Sequence, residues 1–79
     1  MAQRKLEPVT VEYEAKVKNL LKAELKRRGL TYAGLAECLS RIGIQENERN
    51  LNNKISRGGF SAAFMIQCLE SIGCSELRL

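Results

Sequence analysis

The chain has 79 residues, a formal net charge of +4 and a sequence pI near 9.2, which allows one small domain with a single modest core and leaves little room for an elaborate active site. It contains no His and no Asp, no run of ~18–20 apolar residues able to span a membrane, and no hydrophobic signal region at its N-terminus. The mild basic excess is compatible with a nucleic-acid partner without requiring one.

Leu, Ala, Glu, Lys and Arg dominate while β-branched alternation is nearly absent, so the expected fold is all-α. Residues 1–9 read as a flexible polar arm with Arg4 and Lys5, because Pro8 pushes Glu7 toward extended geometry. Residues 10–79 make the domain. A first helix is expected to begin between Thr10 and Tyr13, to turn Tyr13, Val17, Leu20, Leu21 and Leu25 toward the core, and to end at Gly29. Its surface carries Lys16, Lys18, Lys22, Lys26, Arg27 and Arg28 against Glu12, Glu14 and Glu24. Glu12 with Lys16 and Glu14 with Lys18 have the i,i+4 order that supports an exposed helix by ~0.2–0.5 kcal/mol per pair. The basic run therefore reads first as a solvated helix face.

Thr31 suits the N-cap of a second helix reaching about Arg41, with Leu35, Leu39 and Ile42 inward and Ala36 admitting a close neighbour. Gly34 weakens this helix by ~0.5–1 kcal/mol relative to Ala. Residues 40–46 read as a connection, with Ile44 tucked into the core. The next segment, residues 47–58, is the most informative of the chain. Leu51 and Ile55 lie four apart and anchor one side of a short helix, while Arg49 and Asn53 fall nearly opposite, flanked by Asn50, Ser56 and Arg57. Four Asn between residues 47 and 53 would also suit a loop. The punctuation favours a helix: Asn47 as N-cap, Glu48 where the macrodipole welcomes an anion, Arg57 in the last turn and Gly58 as a left-handed cap.

Beyond Gly59, Phe60 offers an apolar contact and Ser61 caps a fourth helix with Phe64, Met65, Cys68, Leu69 and Ile72 inward, up to Gly73. Leu77 and Leu79 suit either a tail tucked onto the core or a contact with a second copy. The three cysteines, Cys38, Cys68 and Cys74, lack both the His partners and the Cys-x-x-Cys spacing of a zinc site, so no metal and no cofactor are expected. Cys38 and Cys68 read as small buried side chains and Cys74 as the more exposed one. Their odd number suits reduced thiols in the cytoplasm.

The order of helices, the Thr31-Tyr-Ala-Gly-Leu-Ala-Glu37 opening and the Leu51-x-x-x-Ile55-Ser-Arg-Gly58 run resemble the lambda-repressor-like, or Xre-type, helix-turn-helix family. The resemblance implies a compact four- to five-helix domain in which Thr31 caps helix two, Leu35 and Ala36 pack it on helix three, and Arg57-Gly58 closes helix three. More closely, residues 21–73 are similar to a group of short bacterial proteins known only as a domain of unknown function, which supplies a fold expectation without an activity. Two departures stand out: Tyr32 occupies the place where the helix-turn-helix family commonly has a Gln on the DNA backbone, and the connection into helix three is longer.

The leading functional expectation is a small bacterial transcriptional regulator that reads double-stranded DNA, with Arg49, Asn50 and Asn53 on base edges in the major groove. Thr31, Tyr32, Lys54, Ser56 and Arg57 would hold phosphates, and a homodimer would double the site. The alternative is a protein-interaction module on the same scaffold, which Glu46 and Glu48 beside the helix-three N-terminus support because they would meet phosphate unfavourably. Enzymatic activity is not expected, since no nucleophile stands beside a recognisable base.

Overall fold

The computed structural model describes residues 7–79, which form four helices: α1 Pro8–Arg27, α2 Tyr32–Arg41, α3 Glu48–Arg57 and α4 Ala62–Ser71. Among the described residues there is no strand. The all-α expectation therefore holds; of the arm expected at residues 1–9, residues 1–6 lie outside the described residues, and Pro8 and Val9 belong to α1. Helix α1 starts earlier than its apolar stripe suggests, with Pro8 in its first turn. There the preset φ suits the helix and the missing N–H is one that would find no intrahelical partner.

Three of the N-termini are capped by the side chains that the spacing marks. Thr31 Oγ1 accepts from the Gly34 N–H at 3.1 Å, Asn47 Oδ1 from the Asn50 N–H at 2.8 Å, and Ser61 Oγ from the Phe64 N–H at 3.1 Å. Each such cap contributes about 1 kcal/mol. Helices α1, α2 and α4 end alike: the N–H of Leu30, Ile44 and Cys74 bonds to the carbonyl of Leu25, Leu39 and Leu69, and the preceding glycine N–H bonds three residues back. This doubly bonded ending needs a left-handed residue, and Gly29, Gly43 and Gly73 provide it.

These repeated endings belong to a larger regularity. Shifted by thirty positions, residues 21–44 match residues 51–74: Leu21 with Leu51, Arg27 with Arg57, Ala33 with Ala63, Cys38 with Cys68, Leu39 with Leu69 and Gly43 with Gly73 are identical. Leu25 and Ile55, Leu35 and Met65, and the caps Thr31 and Ser61 are conservative partners. The domain thus consists of two similar helix hairpins, the second half of α1 with α2 and α3 with α4. Helix α2 packs on both α3 and α4, and α1 crosses the same two helices.

Matched positions build the core. Leu21, Leu35, Leu39, Leu51, Ile55 and Cys68 are fully enclosed, with Leu25, Phe64, Met65, Leu69 and Cys74 around them. Several apolar residues depart from expectation. Tyr13 is 63% exposed and Ile42 48% exposed, because the described structure places no element over those flanks of α1 and α2. Cys74 is buried rather than exposed, whereas Cys38 is only half-buried. Behind Cys74 lies the reason: its thiol hydrogen-bonds the Glu76 carbonyl at 3.1 Å and approaches Glu24 Oε1 at 3.7 Å, which folds the tail back over α1.

Glu24 is the buried acid of the molecule's described part. Arg28 bonds its carboxylate and Arg27 pairs with it at 3.2 Å. Arg28 also donates through Nε to the Ile72 carbonyl at 3.2 Å, so one side chain ties α1 to the C-terminal end of α4. The hydrogen bond from Arg28, helped by the charges of Arg27 and Arg28, lowers the Glu24 pKa from its ordinary 4.5 despite the opposing effect of burial.

Candidate functional site

Helix α3 is where the outward chemistry collects. Its two anchors, Leu51 and Ile55, are completely buried, whereas Arg49, Asn50, Asn52, Asn53, Ser56 and Arg57 are exposed. A ten-residue helix with so polar an outer face would not persist alone. It is held by a local cap at one end and by tertiary contacts with α1 at the other. At its N-terminus Asn47 caps it. Beyond its C-terminus Gly58 has φ of 74° and lies against α1, where a Cβ would come within 2.9 Å of the Glu14 carbonyl oxygen. Lys18 of α1 adds a hydrogen bond from Nζ to the Ser56 carbonyl at 3.4 Å.

The candidate residues divide by availability. Among the described residues, the side chains of Arg49, Asn50 and Asn53 have no hydrogen-bond or ion-pair partner. They stand in solvent with their full donor and acceptor sets open. By contrast, Ser56 Oγ donates to Asn52 Oδ1 at 3.1 Å, and Arg57 Nε donates to the Asn53 carbonyl at 3.3 Å. Arg57 keeps its terminal nitrogens for other contacts.

Lys54 has a different job from the one its sequence position suggests. It forms an ion pair with Glu46, and its ammonium sits 5.1 Å from the centre of the Phe64 ring. Phe64 in turn meets Phe60 edge to face at 5.3 Å. Lys54 therefore joins the connection before α3 to α4, with its ammonium paired to Glu46 and set against the Phe64 ring. Sequence periodicity does not reveal the Glu46–Lys54 pair, because eight residues with an intervening helix start have no fixed spatial relation. Burial, with some help from the Glu46 carboxylate, pushes the Cys68 thiol up to about 12. A thiol held protonated in this way is a poor nucleophile.

Thr31 and Tyr32 lie at the mouth of a shallow depression shared with Lys22, Lys26, Leu25 and Glu48. The Thr31 hydroxyl is occupied by its capping bond, and Tyr32 is half-buried against the core. Two lysines and an acid thus meet where the start of α2 approaches the start of α3. Among the described residues, no group of three or more His, Cys, Asp or Glu is placed to hold a metal ion, and no helix is long and apolar enough to cross a membrane.

The fold and this face define a small all-α domain of two similar helix hairpins, with one short helix that displays arginine and amides from a fully buried footing. Within that class the chain belongs to the family described as "Domain of unknown function (DUF6471)", which residues 13–77 match. No curated protein and no solved structure matches the chain.

Proposed function

We propose that this domain binds double-stranded DNA with sequence preference, as a small transcriptional regulator of helix-turn-helix type in which α3 is the reading helix. The observation that carries the proposal is the set of open side chains on α3: Arg49, Asn50 and Asn53, exposed and without partners on a helix anchored by Leu51 and Ile55. Arg forks onto guanine O6 and N7, and Asn pairs bidentately with adenine N6 and N7, so this face matches what the major groove displays. Folding does not ask for it, because Asn is among the weaker helix formers. Arg57 at the end of α3 and Lys22 and Lys26 near the start of α2 supply cations for phosphates on either side. Ser56 and Thr31 have smaller parts, since their hydroxyls are bonded to Asn52 and to the Gly34 N–H, and so has Tyr32, which is half-buried against the core. Lys54 is reserved for Glu46.

Glu48 supports a second reading. It shares the depression with Thr31 and Tyr32, and a phosphate entering there would meet its carboxylate. On that reading the same helix engages a protein partner instead of DNA.

Selection from a randomised duplex pool at two salt concentrations, with Arg49→Ala in parallel, separates the two. Enrichment of a motif that Arg49→Ala blurs at one position supports DNA reading. Absence of enrichment and of salt-sensitive retention transfers the face to a protein partner.

A further inference from the structure

We propose that the groove between α4 and the C-terminal tail is the docking surface for a second copy of this chain. The groove, about 510 Å³, is lined by Met65, Ile66, Leu69, Cys74 and Leu77 and is rimmed by Glu70 and Glu76. Ile66 on its lip is 54% exposed, so the groove and an exposed apolar side chain form one patch.

The thirty-residue repeat says what such a groove is for. Its lining residues Met65, Ile66, Leu69 and Cys74 correspond to Leu35, Ala36, Leu39 and Ile44. In the first hairpin those positions belong to the core or pack against it, and α3 lies against α2. In the second hairpin no helix within residues 72–79 follows α4. Met65, Leu69 and Cys74 are buried in turn, so what the second half leaves to solvent is the lip of the groove, with Ile66 exposed beside it.

Helix α4 of another copy has an apolar ridge to set against that lip. It is the most apolar of the four helices, with Glu70 as its one charged residue, and its exposed side places Ala62 and Ala63 next to Ile66. An amphipathic helix at a free surface shows a polar outer face, and on α4 Gln67 and Glu70 supply only part of one, beside the apolar strip of Ala62, Ala63 and Ile66. The small alanines admit a neighbouring backbone, and groove and knob occupy the same patch. A two-fold axis then seats the Ile66 of each copy in the groove of the other, the self-complementary arrangement of an isologous dimer. Charge agrees with it: the acidic rim of Glu70 and Glu76 is opposite in sign to the exposed Arg78 that each copy contributes.

The assignment is independent of DNA reading, since association is measured without DNA. Sedimentation equilibrium of the full chain up to millimolar concentration, beside Ile66→Glu, Ala62→Trp and Tyr13→Glu, is the test. Expected is a reversible dimer whose dissociation constant rises at least ~10-fold in both α4 variants and is unchanged by Tyr13→Glu, with helical circular dichroism intact in all. Two α4 variants, one adding charge and one adding bulk, guard against a folding failure in either. A wild-type monomer at every concentration overturns the proposal and leaves the groove to a helix of another protein. A dimer that survives both α4 variants, or that Tyr13→Glu dissociates, overturns it as well.

Discussion

The two hairpins share their inward positions and differ in what they show to solvent. In α1 the exposed positions matched to Asn52, Asn53 and Ser56 are Lys22, Ala23 and Lys26, ordinary residues for a solvated helix. The buried anchors Leu21 and Leu25 correspond to Leu51 and Ile55, with the same enclosure. Glu24 and Lys54 also correspond, and each pairs with an opposite charge from a neighbouring turn or loop, although Glu24 is buried and Lys54 exposed. What folding requires is thus satisfied in both halves. The amides of α3 are an addition that folding does not demand, which is the best reason to look for function there.

The comparison breaks first at the anchors. Leu21→Ala and Leu51→Ala should each lose ~2–5 kcal/mol in urea unfolding, a large share of what so small a domain possesses. Near-equal losses would support equivalent roles in the core; a much smaller loss at Leu51 would show that α3 is loosely attached. Next come the glycines at the two hairpin corners. Gly29 and Gly58 both have positive φ, but a Cβ at Gly29 meets nothing within 4 Å while one at Gly58 meets the Glu14 carbonyl. Gly29→Ala should therefore cost about 1 kcal/mol and Gly58→Ala more than about 2 kcal/mol, measured by thermal unfolding.

On the outer face the effects should move from stability to binding. Arg49→Ala should leave the melting temperature unchanged and relax one position of the selected site, by ~1–3 kcal/mol. A reciprocal exchange sharpens the contrast: Asn53→Ala should stabilise the fold by no more than ~0.7 kcal/mol while weakening selected-duplex binding, and Ala23→Asn should destabilise it by a similar amount with no effect on binding. Paired melting curves and titrations distinguish the two.

The gentlest perturbation is pH. Because the folded Glu24 pKa lies below 4.5, the unfolded chain takes up a proton there more readily. Its contribution to stability is present above about pH 4.5 and disappears as pH falls through the lower folded value. Glu24→Gln should remove that part of the acid dependence, while changes at Lys54 should not. Denaturant midpoints between acid and neutral pH provide the check.

Local chemistry was legible in the sequence. Thr31, Asn47 and Ser61 are the N-caps their spacing announces, and the end of α2 and both ends of α3 fall where Arg41, Asn47 and Gly58 suggest, because capping bonds span only three or four residues. The anchors Leu51 and Ile55 and the open face of Arg49, Asn50 and Asn53 follow from helical periodicity in the same way. Tertiary structure alone decided the exposure of Tyr13 and Ile42, the burial of Cys74 and the capture of Lys54 by Glu46 and Phe64. Each of these depends on which flank of a helix a distant segment covers, and periodicity assigns a residue to a face without saying what lies against it.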